Sequence, residues 1–230
     1  WELCSHFRAQ YAWGLAALAL VWLAARRPRR GMVAAAGLLV NAALILPLYV
    51  DDDLSASPTT AQTTYRALLL NVDVNNSDTA PTLRLIQEAD PDVVLLVEPN
   101  QRWLAALEGL TRDYPCHETV GIGFGYGIAL YTRLPCDSIQ VVDVSRRGRP
   151  SIIARLRLPE GRMTVIGAHP LTPLAPTHLT ARNRHLAELG RLAGAQPTPV
   201  MLMGDLNTTS WSSAFGALLR QGRLRDSRGL

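Results

Sequence analysis

Met201-Leu202-Met203-Gly204-Asp205-Leu206-Asn207 is an apolar run that halts on a glycine, a carboxylate and an amide. Its first half reads as a buried strand, and such a strand delivers Asp205 and Asn207 to its carboxyl end. Two earlier stretches are laid out the same way. Val93-Val94-Leu95-Leu96-Val97 ends in Glu98, and Met163-Thr164-Val165-Ile166-Gly167-Ala168 ends in His169. Three apolar strands, each finishing on an ionisable or amide residue, predict one polar cluster at one rim of a sheet.

The surrounding segments predict a mixed α/β layered domain. A strand is expected from Tyr65 to Val74, entering the polar run Asn71 to Asp78. A helix follows from Pro81 to Ala89, with Asp78 or Thr79 as cap and Pro81 in its first turn. Asp90-Pro91 breaks it. Residues 100–110 form a second helix with Trp103, Leu104, Leu107 and Leu110 on one face. Two strands flank the glycine run Gly121 to Gly127, which lacks the Gly-Lys-Ser/Thr ending of a nucleotide-binding loop and reads as a flexible hairpin loop. A further hairpin is expected from residues 151–158 and 162–168, turning at Glu160-Gly161. A polar helix from Thr180 to Ala193, the strand into Asp205 and a helix near Ser212 to Arg220 complete the pattern. No internal repeat is evident.

The amino-terminal fifth differs in character. Residues 9–25 and 31–50 carry no charge and are rich in Ala, Leu and Val, and at about 1.5 Å per residue each is expected to cross or nearly cross a bilayer of about 30 Å. Arg26-Arg27-Pro28-Arg29-Arg30 lies between them and Asp51-Asp52-Asp53 follows. An arginine cluster stays cytoplasmic, which places residue 1 and everything after about residue 51, the larger domain included, on the far side of the membrane. A signal peptide with residues 31–46 as its apolar core also exports the domain; the preceding apolar arm argues against it. The expected organisation is a transmembrane hairpin over 1–50, a polar linker over 51–64 and a catalytic-type domain over 65–230.

The net charge of +4 belongs to the hairpin: residues 51–230 carry 18 Arg against 18 Asp and Glu. A neutral domain does not support strong nonspecific attraction to nucleic acid. Arg146, Arg147 and Arg149 form a local cluster that reads as a solvated loop. The chain contains no Lys, so Schiff-base or lysine-nucleophile chemistry is excluded. Cys116 and Cys136 flank the glycine hairpin and are either bridged, as export permits, or two free thiols. No cysteine or histidine spacing suggests zinc. The first residue is Trp rather than Met, which reads as a fragment or a processed product.

The candidate cluster is Asn71, Glu98, His169, Asp205 and Asn207. Singly, each has a plain explanation: a turn cap, a partner for Arg102, a packed histidine, an Asx turn. Together they match a magnesium-assisted phosphoryl site. Mg2+ takes a few hard oxygen ligands and keeps water, an Asp orients or deprotonates the attacking water, and amide and imidazole donors stabilise charge on phosphoryl oxygens.

Leu68-Leu69-Leu70-Asn71-Val72, Pro91-Asp92 through Glu98, Gly127-Ile128-Ala129-Leu130-Tyr131-Thr132-Arg133-Leu134-Pro135, the strand to His169 and Gly204-Asp205-Leu206-Asn207 stand in one order. That ordered set resembles the endonuclease/exonuclease/phosphatase superfamily with the DNase-I-like fold, over roughly residues 65–230. The apolar arms resemble its bacterial membrane-anchored members. The resemblance implies a four-layered αββα sandwich and hydrolysis of a phosphoester by in-line attack of water. It implies Glu98 and Asn71 as supports of Mg2+ (or Mn2+), Asp205 as the residue that positions or activates the nucleophile, Asn207 as a phosphate contact, and His169 acting on the phosphate or leaving group.

Two features depart from the pattern. Val97 stands where many members have Gln. Members also continue to a late Asp-containing strand and a terminal Ser-Asp-His, which the resemblance therefore implies to be missing, leaving this chain nearly inactive with an unpaired sheet edge. His178 and His185 lie in the wrong segment to substitute, and read as a loop residue and a residue of a solvated helix. The expected substrate is nucleic acid, a phospholipid headgroup or a small phosphoester, with the bilayer contacted through residues 9–50. No protein partner is identifiable. The alternative is a non-catalytic envelope or binding protein on the same scaffold, which the intact gene lacking Ser-Asp-His would favour.

Overall fold

Val93-Val94-Leu95-Leu96-Val97 is wholly buried, and its two-residue period divides it between two cores. The computed structural model, which describes residues 4, 6–46, 63–123, 125–145 and 148–227, places Val93, Leu95 and Val97 in a core between two sheets. Val94 and Leu96 face the opposite way, into a second core with Ile86, Trp103 and Leu107.

The elements that build these cores are β1 (Ala67–Asn71), α3 (Ala80–Ala89), β2 (Val93–Val97), α4 (Gln101–Leu107), β3 (Cys116–Val120), β4 (Ile128–Thr132), β5 (Cys136–Val142), β6 (Ser151–Leu158), β7 (Gly161–Ala168), α5 (Pro176–Gly194), β8 (Val200–Met203) and α6 (Ser213–Gly222), after a hairpin of α1 (Arg8–Ala24) and α2 (Pro28–Ile45). One sheet has the order β1-β2-β4-β3 and the other β5-β6-β7-β8. Ile128 and Leu130 join Val93, Leu95 and Val97 against Ile152, Ala154, Leu156, Val165 and Met203 of the second sheet. Each such fully buried aliphatic side chain contributes roughly 1.5–3 kcal/mol to the stability of the fold. The sheets approach closely at Gly167, where a Cβ would lie 2.7 Å from Leu95 Cδ1. Helices α3 and α4 cover the outer face of the first sheet, and α5 that of the second, where His185 reaches Ser151 of β6. The chain therefore has an α/β sandwich of two sheets with helices outside them.

Several expected boundaries shift for local reasons. β1 stops at Asn71 because Asp73 takes a positive φ of 56° and its N–H donates to Asn71 Oδ1. The helix expected over 100–110 divides into α4 and a 3-10 turn, Glu108–Arg112. Asn100 caps α4 by accepting from Trp103 N, and Trp103 Nε1 donates to Asn76 O. α5 is longer than expected and starts at Pro176, so His178 is helical rather than in a loop. Nor is α5 simply solvated: Arg182 and His185 are buried along it. Cys116 and Cys136 are bridged.

The hairpin reading needs correction. Among the described residues no helix is long and apolar enough to cross a membrane. α1 ends after 17 residues, about 25 Å of helix. α2 spends its first turn on Pro28, Arg29 and Arg30, so its apolar part begins only at Gly31. The two helices pack on each other through Ala19 and Ala34, while Trp13 and Val33 are largely exposed. Nearly all of the expected linker 51–64, like Arg146 and Arg147, lies outside the described residues. The structure forms two compact units: the hairpin falls in one together with Thr208–Ala217, and both sheets fall in the other.

Candidate active site

Strand register brings the candidate residues together. β1 and β2 run parallel with Asn71 opposite Val97, so Asn71 sits beside the point where the chain turns into Glu98. β7 and β8 run parallel with Gly167 opposite Met203, which sets His169 and Asp205 level, each two residues further on. Gly204 makes this closeness achievable. A Cβ there would fall 1.8 Å from the carbonyl oxygen of Ala168, so no other residue fits. Glu98 has a positive φ of 63° and donates its N–H to Gly127 O at 2.7 Å. A non-glycine residue held in that region by its surroundings is a frequent mark of functional sites.

The four side chains Asn71, Glu98, His169 and Asp205 meet. Asn71 Nδ2 donates to Glu98 Oε1 at 2.9 Å and to Asp205 Oδ2 at 3.3 Å. His169 Nε2 lies 3.7 Å from Glu98 Oε1. One ligand atom from each of Glu98, His169 and Asp205 falls within 4.8 Å of the others. The His169 side chain is 1% exposed, yet neither ring nitrogen has a hydrogen-bond partner. Buried polar nitrogens are normally satisfied, so an unsatisfied imidazole beside two carboxylates fits a place for a cation or a phosphoryl oxygen. Burial pushes the His169 pKa down; the Asp205 and Glu98 charges pull it up, and Arg149 pushes it down. The net shift is downward, which leaves the ring neutral at pH 7.

Hard carboxylate oxygens with an imidazole at this separation fit a divalent cation that keeps part of its water shell. Glu98 and Asp205 are the carboxylate donors. Asn71 turns its nitrogen toward them while its Oδ1 accepts from Asp73 N, so it offers oxygen to a metal only after the amide turns over. Asn207 is adjacent but differently engaged. Its N–H donates to Asp205 Oδ1 at 3.0 Å, its Nδ2 donates to Pro170 O at 3.0 Å, and Arg182 holds its carbonyl at 2.7 Å. One amide proton of Asn207 is thus spent on the loop that follows His169.

Sequence reasoning missed two residues. Arg149, expected in a solvated loop, is half-buried and stacks its guanidinium 4.3 Å from the Tyr126 ring centroid. Arg182 reads from sequence as one polar residue among many on a polar helix, but it is buried and fastens the Asp205–Asn207 turn. The glycine run serves the site structurally: a Cβ on Gly127 would lie 2.8 Å from Gly121 O and 3.2 Å from Pro99 O. Arg133, inside one of the motifs quoted above, is not in the cluster. It pairs with Asp90 at 2.6 Å and Tyr114 at 2.9 Å, beyond the end of β4 where Thr132 pairs with Val93 at the start of β2.

The sequence pattern of the Endonuclease/Exonuclease/phosphatase family matches residues 68–228, and the chain belongs to that family. No curated protein matches it by sequence. Similar solved structures include a beta-hairpin deletion mutant of beta toxin from Staphylococcus aureus, at 16% identity and TM-score 0.53 over 72% of this chain and 75% of that one. D. rerio TDP2 complexed with single strand DNA product is similar at 17% identity and TM-score 0.54, over 66% and 64%. Sphingomyelinase C from Streptomyces griseocarneus is similar at 18% identity and TM-score 0.52, over 72% of each chain. At these identities the likeness is one of fold, which is DNase-I-like.

Proposed function

We propose that the chain carries the catalytic domain of a divalent-metal-dependent phosphoesterase, a phosphodiesterase or nuclease by type. The observation that carries this reading is the convergence of Glu98, His169 and Asp205 from the ends of three strands in two sheets. Family membership and the fold shared with a sphingomyelinase and with a DNA-bound enzyme support a phosphoester substrate. A bound Mg2+ or Mn2+ supplies neutralisation of charge on the phosphoryl oxygens and Lewis acidity.

The side chains divide the remaining work. Glu98, with Asp205 beside it, holds the cation. Asp205 keeps Oδ1 on the Asn207 N–H and presents Oδ2 as the acceptor for a proton of the attacking water. His169 is neutral and donates a hydrogen bond to the phosphoryl or leaving oxygen, where negative charge grows in the transition state. Asn71 spaces the two carboxylates, and Asn207 offers its second amide proton to phosphate. The Cys116–Cys136 bridge supports placing the domain in an extracytoplasmic, oxidising compartment.

The test is hydrolysis of bis(p-nitrophenyl) phosphate by the full-length protein, with and without Mg2+, compared with Asp205→Asn. The expected result is metal-dependent turnover whose kcat falls about 100-fold or more in the variant, the usual scale for loss of a positioned base. Equal rates would remove Asp205 from the mechanism.

A further inference from the structure

Beside the cluster lies a cavity of about 300 Å³ lined by Ser145, Arg149, Thr177, His178, Ala181 and His185, with Leu171 completing the wall. Every polar group in this lining is a donor or can become one. Arg149 brings a permanent positive charge, and its guanidinium is oriented by the Tyr126 ring. Thr177, His178 and Ala181 belong to the first turns of the 19-residue α5, whose amino end has no side-chain cap and no acidic residue in its first turn. That end carries a partial positive charge and outward-facing N–H groups, which suit an anion.

His185 is an independent observation. It is 1% exposed, its Nε2 lies 3.4 Å from Ser151 Oγ, and its Nδ1 is buried without a partner. When the Ser151 hydroxyl donates to Nε2, the neutral ring carries its proton on Nδ1, leaving a buried donor unused. His178 Nδ1 is buried without a partner as well. The nearby carboxylate, Asp143, is engaged by its own loop, accepting from Ser145 Oγ and Gly148 N at 2.9 Å each. The unpartnered ring nitrogens of His178 and His185 on one cavity are costly unless a ligand engages them.

We infer that this cavity is a second anion subsite, shaped for a phosphate or similar oxyanion. It rests on the phosphoesterase reading for its purpose, which is to hold another anionic group of the substrate beside the ester being cut. The preferred substrate class is then a phosphodiester with a further phosphate, rather than a diester with a single charge.

The experiment is titration of the metal-free protein with inorganic phosphate in EDTA, followed by calorimetry and by the ring signals of His178 and His185 in NMR spectra. The expected result is saturable binding that moves both ring signals and weakens about tenfold in Arg149→Gln and in His178→Asn, as loss of one charge-assisted or buried donor implies. His178 is half-exposed, so its variant retains the fold even where His185→Gln does not. Absence of saturable binding, or wild-type affinity in both variants, would overturn the inference. Hydrolysis of bis(p-nitrophenyl) phosphate separates the two readings. Phosphate binding retained in a wild type that hydrolyses nothing supports the anion site and removes the catalytic reading.

Discussion

His185 and His169 are both nearly inaccessible, and burial shifts both in the same direction. For His185 the pKa is pushed down to about 4, by burial first, with the Asp143 charge opposing and Arg149 and His169 adding to the fall. The unfolded chain, titrating near the usual value of about 6.5, therefore binds more protons than the folded one between those values. The stability associated with a neutral His185 is complete above about pH 6.5 and is lost as pH falls toward 4, by up to roughly 3 kcal/mol. Urea midpoints measured between about pH 7 and 4 should fall across that window, and His185→Gln should flatten the fall. A wild-type slope unchanged in the variant would assign the acid sensitivity elsewhere. Which side chains meet at the candidate site was largely legible in advance: Glu98, His169 and Asp205 each follow an apolar strand, whereas Asn71 closes a half-exposed one that only the ordered motifs marked. What each side chain does with its hydrogen bonds was not. Asn71 turning its nitrogen to the carboxylates, and Asn207 giving a proton to Pro170, depend on neighbours 27 to 134 positions away.

Elements position these residues through close backbone approach rather than through long side chains. Gly204 is the sharpest case. Gly204→Ala should destabilise the protein by about 3 kcal/mol or more and displace Asp205, because the new methyl meets backbone oxygen that cannot rotate away. Gly167→Ala meets the end of the Leu95 side chain instead, which can change rotamer, and should cost roughly 1 kcal/mol. Thermal or urea unfolding of the two variants checks the order; equal losses would contradict it. Strands made only of apolar residues, such as β2, were readable because their length and flanking breakers leave few options. α5 was misjudged because its buried face carries Arg182 and His185, polar residues that a hydrophobic period cannot register. β5, partly exposed along its whole length without a two-residue alternation, gave too weak a pattern to place in advance.

At the scale of the whole molecule, the disulfide joins β3 of the first sheet to β5 of the second, with Cα atoms 6.3 Å apart. Closing a loop over a separation of 20 residues restricts the unfolded chain by about 3 kcal/mol. Reductant, or Cys116→Ser, should lower the unfolding free energy by about that amount, and the variant should no longer respond to reductant. A reduced protein as stable as the oxidised one would show that the inter-sheet core suffices alone. The sandwich was anticipated from ordered motifs, whereas among the described residues no helix is long and apolar enough to span a membrane, since α1 stops after 17 residues and α2 takes two of the loop arginines into its first turn. The proposed function depends on three strand ends from two sheets bringing Glu98, His169 and Asp205 around one cation and its phosphoryl group. The most direct test is Mn2+ binding followed by electron paramagnetic resonance in the wild type, Glu98→Gln and Asp205→Asn. A single site whose affinity drops at least about tenfold in each variant is the expected result; Mn2+ affinity unchanged by both substitutions would contradict the assignment of the site.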